Sequence, residues 1–95
     1  MNGGLMRFGW DPDKNQINVA KHGMSFVAAV KVFDDSKRIE LDSSNPEYGE
    51  SRNKAIGIVE SKHVTVIYTD RGDVRRIISA RRSRADERRQ YDQRD

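Results

Sequence analysis

Cysteine is absent from the 95 residues, which excludes a disulfide framework and any thiolate metal site. No apolar run approaches the ~20 residues needed to cross a bilayer. The first residues show no basic start followed by an apolar block, so no secretion signal is read there. The expectation is a cytoplasmic protein that meets no membrane. Core formers are scarce as well. Leu, Ile, Val and Phe make up about a fifth of the chain, close to the ~20% at which strongly charged sequences stay disordered. The net charge is only +3, too small for that outcome. A folded domain with a thin core is expected, single over residues 1–95, with 1–5 read as a disordered lead.

Arginine is what the chain has in excess, and it has it at one end. Residues 1–70 carry nine basic and ten acidic side chains, whereas residues 71–95 carry nine arginines against five acids. Guanidinium groups favour planar, bidentate contact with phosphate over generic solubility. The stretch from Arg71 to Arg82 opens on a glycine turn, continues as a β-branched run and leaves on a cationic exit. Alternation would put Val74, Arg76, Ile78 and Ala80 on one side of that strand, and Arg75, Ile77, Ser79 and Arg81 on the other. Such a strand suggests a sheet whose edge or end meets an anion, and RNA phosphate is the anion of choice.

Along the chain, 5–10 reads as a first strand. Asp11 is an N-cap with Pro12 at the first helical position, for a helix over 12–22 that stops at Gly23. Lys21 and His22 sit in its last turn, where cations are favoured. Ser25 caps a second helix over 26–33, whose Phe26, Ala29, Val30 and Phe33 follow the spacing of a buried stripe. A strand over 37–42 leads to a polar loop over 43–49. Strands over 52–59, 64–69 and 74–80 follow, with connectors short enough to force antiparallel hairpins. A last helix runs from a Ser83 cap to about 93 and is apolar only at Ala85 and Tyr91. It reads as a solvated arm or a surface for another chain. The fold expected is α+β: an antiparallel sheet of four to five strands, two N-terminal helices on one face and a C-terminal helix.

Several blocks together resemble the BrnT family of bacterial type II toxins. They are Phe8-Gly9-Trp10-Asp11, Asn18-Val19-Ala20-Lys21-His22-Gly23-Met24-Ser25-Phe26 and Val32-Phe33-Asp34-Asp35. Further on come Glu50-Ser51-Arg52, Ile56-Gly57, Tyr68-Thr69-Asp70-Arg71-Gly72, Arg76-Ile77-Ile78-Ser79-Ala80-Arg81, and Glu87-Arg88-Arg89 with Tyr91. The resemblance covers nearly the whole chain from Arg7. It implies a RelE-like ribonuclease that cleaves RNA and arrests translation, neutralised by a BrnA-like ribbon-helix-helix antitoxin. Operator DNA would be met only through that complex. Two stretches depart from the family pattern: Val27-Ala28-Ala29, where acidic residues are usual, and the arginine-rich Arg81-Arg82-Ser83-Arg84.

RNA can be cut without a metal or a cofactor, and neither is expected here. The 2′-hydroxyl attacks phosphorus, a base takes its proton, an acid protonates the leaving oxygen and cations stabilise the phosphorane. His22 reads either as that acid or base, with Lys21 gripping phosphate, or as half of a cationic helix end. His63 has no motif and reads as exposed and idle. Arg52 and Arg71 either reach over an open sheet face or solvate loops. Arg81, past the expected strand end, is free to swing and is the stronger candidate for the transition-state cation, while Arg76 on the opposite face suits a structural ion pair. Tyr68 either donates a proton or stacks on a base, or packs in the core. Tyr91 stacks likewise or docks the last helix. Ser79 is not a nucleophile. The catalytic candidates are thus Lys21, His22, Arg71 and Arg81; Arg52, Tyr68, Arg82, Arg88 and Tyr91 are the RNA-binding candidates. The rival reading is a non-catalytic nucleic-acid-binding or protein-partner module.

Overall fold

The computed structural model describes residues 7–93; the lead over 1–5 and the beginning of the expected first strand lie outside them. Helix α1 (Pro12–His22) begins where the Asp11 carboxylate accepts the Asp13 N–H at 2.9 Å. It ends at Gly23, whose φ of 68° is left-handed and whose N–H donates to the Val19 carbonyl at 2.8 Å. A side chain with a Cβ is disfavoured in that conformation. Helix α2 (Phe26–Ala29) is capped as expected, the Ser25 hydroxyl accepting the Ala28 N–H at 3.1 Å.

After one turn the chain tightens into a 3-10 helix over Val30–Asp34. Three residues per turn replace 3.6, and the buried stripe moves accordingly. Phe26, Ala29 and Val32 are at most 1% exposed, whereas Val30 and Phe33 are only partly buried.

Five strands form one sheet: β1 (Arg7–Gly9), β2 (Ile39–Asp42), β3 (Asn53–Val59), β4 (Lys62–Arg71) and β5 (Val74–Arg82), in the order β1-β5-β4-β3-β2. Strands β2 to β5 are antiparallel neighbours. β1 instead pairs parallel to β5, so the sheet is mixed rather than antiparallel. Short connectors dictate direction only between sequence neighbours; β1 and β5 are joined by the whole domain, and no hairpin constrains them.

Strand β5 carries a bulge. Its register with β4 passes from Ile67↔Ser79 to Tyr68↔Ile77, leaving Ile78 over. An inserted residue reverses the alternation beyond it, and cross-strand partners share a face. Arg75, Ile77 and Ala80 therefore lie with Tyr68 and Val66 on the inner face. Arg76, Ser79 and Arg81 lie with Thr69, Ile67 and Thr65 on the outer face. The strict alternation that set Arg76 and Arg81 apart is overturned.

The core occupies the inner face, where Phe26, Ala29 and Val32 pack on Val64, Val66, Tyr68, Ile77 and Ala80. Gly57 lets the 3-10 helix approach, because a Cβ there would stand 3.0 Å from Val32 Cγ2. Helix α3 (Ala85–Gln93) lies over one end of the outer face and starts later than its expected cap. The Glu87 carboxylate accepts the Arg84 N–H at 2.8 Å, half of a capping box. Ser83 turns its hydroxyl to Thr65 at 2.7 Å. The helix is no solvated arm, since Glu87 is 1% and Tyr91 8% exposed. The Tyr91 hydroxyl donates to Asp35 at 2.6 Å, and its ring meets His63 edge-on at 5.4 Å. His63, expected idle, is thereby a packing residue, with Nε2 2.9 Å from Asp92.

Candidate functional site

Asn18 fastens α1 to the sheet. Beyond Arg76 the edge of β5 has no strand partner among the described residues, and the Asn18 amide takes that place at Ala80. Its Nδ2 donates to the Ala80 carbonyl at 2.8 Å and to the Met24 carbonyl at 2.9 Å, while its Oδ1 accepts the Ala80 N–H at 3.2 Å. One turn later on the same helix come Lys21 and His22. A groove of about 190 Å³ opens between α1 and the bulge of β5, lined by Lys14, Ile17, Asn18, Lys21 and His22 from the helix and by Ile78 and Ser79 from the strand. Two of the expected catalytic residues are thus brought together beside Ser79, at the edge of β5.

Arg76 stands three residues before Ser79 on that outer face and has no ion-pair partner among the described residues. The structural ion pair expected of it belongs to its neighbour. Arg75 binds Asp70 through Nε at 2.8 Å and Nη2 at 3.0 Å and stacks on the rings of Tyr68 and Phe33 at 4.4 and 4.8 Å. Its bond to Asp70 raises its pKa further.

Arg81 is within β5 rather than past its end, and it is not free to swing. Its two terminal nitrogens grip Glu87 at 2.7 and 2.9 Å. The same carboxylate accepts from Lys54 and from Thr65, each at 3.1 Å. Burial by itself would push the Glu87 carboxyl up. The Arg81 guanidinium, the Arg84 N–H and the Lys54 ammonium more than offset this and hold it well below the usual carboxylate range.

Arg71 and Arg52 occupy the other end of the outer face. Glu50 accepts from Arg71 at 2.9 Å and from Arg52 at 3.4 Å, and the Arg71 hydrogen bond leads in lowering its pKa. Arg71 pairs with Val74, five residues along β5 from Ser79, on the order of 15 Å at a strand's rise per residue. Arg71 therefore does not share the Lys21–His22 groove. Tyr68 is 2% exposed and donates its hydroxyl to Glu40; burial and that carboxylate raise its pKa. Neither it nor the buried Tyr91 presents a free ring face to a base, contrary to expectation. Arg82 pairs with Val64 and is exposed on the inner side, and Arg88 donates to the Ser83 carbonyl at 3.1 Å.

Sequence reasoning gave no site role to Asn18, Lys14 or Arg76; Asn18 stood only within a family block, and Arg76 was assigned a structural ion pair. Asn18 was visible as a polar residue one turn before Lys21 and His22, but its long-range bonds were not. Among the described residues no group of three or more His, Asp or Glu is gathered to hold a metal, and no helix is long and apolar enough to cross a membrane.

What the edge of β5 offers is a histidine and a lysine beside a strand bulge, with further cations along the outer face: a surface suited to a polyanion. A comparison with curated proteins finds no match. A family model described as "Ribonuclease toxin, BrnT, of type II toxin-antitoxin system" matches residues 10–87. The match spans α1, the whole of β2 to β5 and the Glu87 anchor, and the chain belongs to the BrnT family of ribonuclease toxins.

Proposed function

We propose that this chain is a metal-independent endoribonuclease of RelE-like fold, one domain over residues 1–95, that cuts RNA in the cytoplasm and so arrests translation. A BrnA-like ribbon-helix-helix antitoxin neutralises it, and operator DNA is met only through that complex. The observation that carries the reading is the groove in which Lys21 and His22 face Ser79. In this reading the ribose-phosphate lies across the bulge. The substrate's own 2′-hydroxyl is the nucleophile, so the protein need supply only proton transfer and positive charge. His22 moves a proton, Lys21 and Lys14 hold phosphate oxygens, and Arg76 meets the charge that builds on phosphorus. Arg81 acts from its tether on Glu87, and Arg71 and Arg52 hold more distant phosphates.

The test is cleavage of single-stranded RNA by purified protein in the presence of a chelator. His22→Ala should slow it ~10²–10⁴-fold, the usual worth of one acid or base, and Arg76→Ala ~10²–10³-fold. Full activity in the His22→Ala/Arg76→Ala double variant would end this site assignment. A second reading, a nucleic-acid binder without catalysis, draws support from Glu87 occupying both terminal nitrogens of Arg81. It expects intact RNA after long incubation, together with binding whose logarithm falls by ~0.7 per phosphate contact against log salt.

A further inference from the structure

The segment between β2 and β3 is bonded throughout. The Ser43 N–H donates to the Arg52 carbonyl at 2.8 Å, and the Ser44 hydroxyl accepts the Arg52 N–H at 2.9 Å. Asn45 accepts the Glu47 N–H through its side chain and the Tyr48 N–H through its carbonyl, both at 2.9 Å. Thr69 ties the segment to β4 by donating to the Ser51 carbonyl at 2.8 Å. What these bonds present is one 3-10 turn, Pro46–Tyr48, with Tyr48 47% exposed.

An aromatic ring held in water contributes little to the fold. Among the described residues the Tyr48 hydroxyl has no hydrogen-bond partner. Its ring does have one neighbour of consequence: the Arg52 guanidinium lies 3.8 Å from the centroid, stacked on one side. Arg52 is held by Glu50, which also holds Arg71, and the Arg71 side chain is 62% exposed. An exposed ring, backed by a cation and flanked by a second one, has the parts of a single-strand platform. The ring offers a π-face to any base, and the guanidinium groups meet the adjoining phosphates. The Ser51–Thr69 bond seats the segment against β4, one strand away from Arg76, which pairs with Thr69 on β5. The platform thus continues the cationic outer face away from the groove.

We propose that Tyr48, backed by Arg52, is a stacking subsite for an unpaired nucleobase of single-stranded RNA, with Arg71 on the neighbouring phosphate. The subsite rests on the ribonuclease reading and extends it to the part of the substrate lying away from the cut. It makes unpaired RNA, not duplex, the favoured substrate.

Fluorescence anisotropy with labelled single-stranded RNA, in a His22→Ala background so that the probe survives, measures it. Tyr48→Ala should weaken binding roughly tenfold to a hundredfold, the worth of one stacked base. Tyr48→Phe should bind as the parent does, and duplex RNA should bind equally to all three. Unchanged affinity in Tyr48→Ala, or equal losses in both variants, would overturn the proposal. So would a Tyr48→Ala protein that loses its grip on a protein partner while RNA affinity stays the same. Photocrosslinking of iodouridine-substituted RNA to the unaltered chain reads the site without any substitution; crosslinks that avoid the 46–52 segment count against it. A parent chain that neither binds nor cuts RNA sinks the ribonuclease reading itself. A parent that cuts RNA while Tyr48→Ala binds like it sinks the subsite alone.

Discussion

Glu87 and Glu50 each bridge two cations on the same outer face, yet they do different work. Glu87 has a 1% exposed side chain and holds Arg81 and Lys54, with Thr65 and the Arg84 N–H completing its shell. Glu50 has a 27% exposed side chain and holds Arg71 and Arg52 at the rim. A buried carboxylate has no water to fall back on if a partner leaves, so the group is fixed and so is whatever it holds. At the rim, solvent and salt compete for each contact and the arginines can exchange Glu50 for a phosphate. One end of the face is thus a structural lock and the other an adjustable contact surface.

The largest effect should come from breaking the lock. Glu87→Gln leaves Arg81 and Lys54 without their counter-charge and should cost about 3–5 kcal/mol in urea unfolding. A loss no greater than that of an ordinary surface change would remove the distinction between the two ends. Next is Asn18→Leu, which strips partners from the buried Ala80 backbone and should cost ~1–3 kcal/mol. It should also lower RNA cleavage in protein that is still folded, since α1 loses its register against the bulge.

Acid provides a third probe. The folded Glu87 has a lower pKa than the unfolded ~4.3, so its stabilising contribution is complete above that value and disappears as pH falls through the folded pKa. Melting temperature measured from neutrality downward should hold until about pH 5 and then drop more steeply in the parent than in Glu87→Gln. Smallest of all is Glu50→Gln. Unfolding should be unchanged within error, while affinity for single-stranded RNA rises at low salt because Arg52 and Arg71 are released. A stability loss there comparable to that of Glu87→Gln would show that the rim is locked too.

Features that depend on neighbours in sequence were legible before the structure was known. The Asp11 cap, the Gly23 stop, the Ser25 cap and the antiparallel run of β3 to β5 all follow from local chemistry, and all are present. The grouping of Lys21 with His22 at a helix end was equally readable. What escaped were matters of counting and of distance. The tightening after Ala29 moved the buried position from Phe33 to Val32, and the extra residue at Ile78 reversed the faces of half a strand. The parallel pairing of β1 and the reach of Glu87 to Lys54 join residues remote in sequence, for which no periodicity gives a sign. Tyr68 and Tyr91 show a further limit: a lone tyrosine beside arginines looks the same whether its ring is packed or displayed.

The Asn18 amide has a consequence of its own. Where β1 stops, the exposed margin of β5 would be a template on which any stray extended peptide could lengthen the sheet. By occupying both the Ala80 N–H and carbonyl with one side chain, the first helix shuts that margin at its centre. Closing the strand from within keeps an uncomplexed copy of the domain from adding itself, edge to edge, to another extended chain.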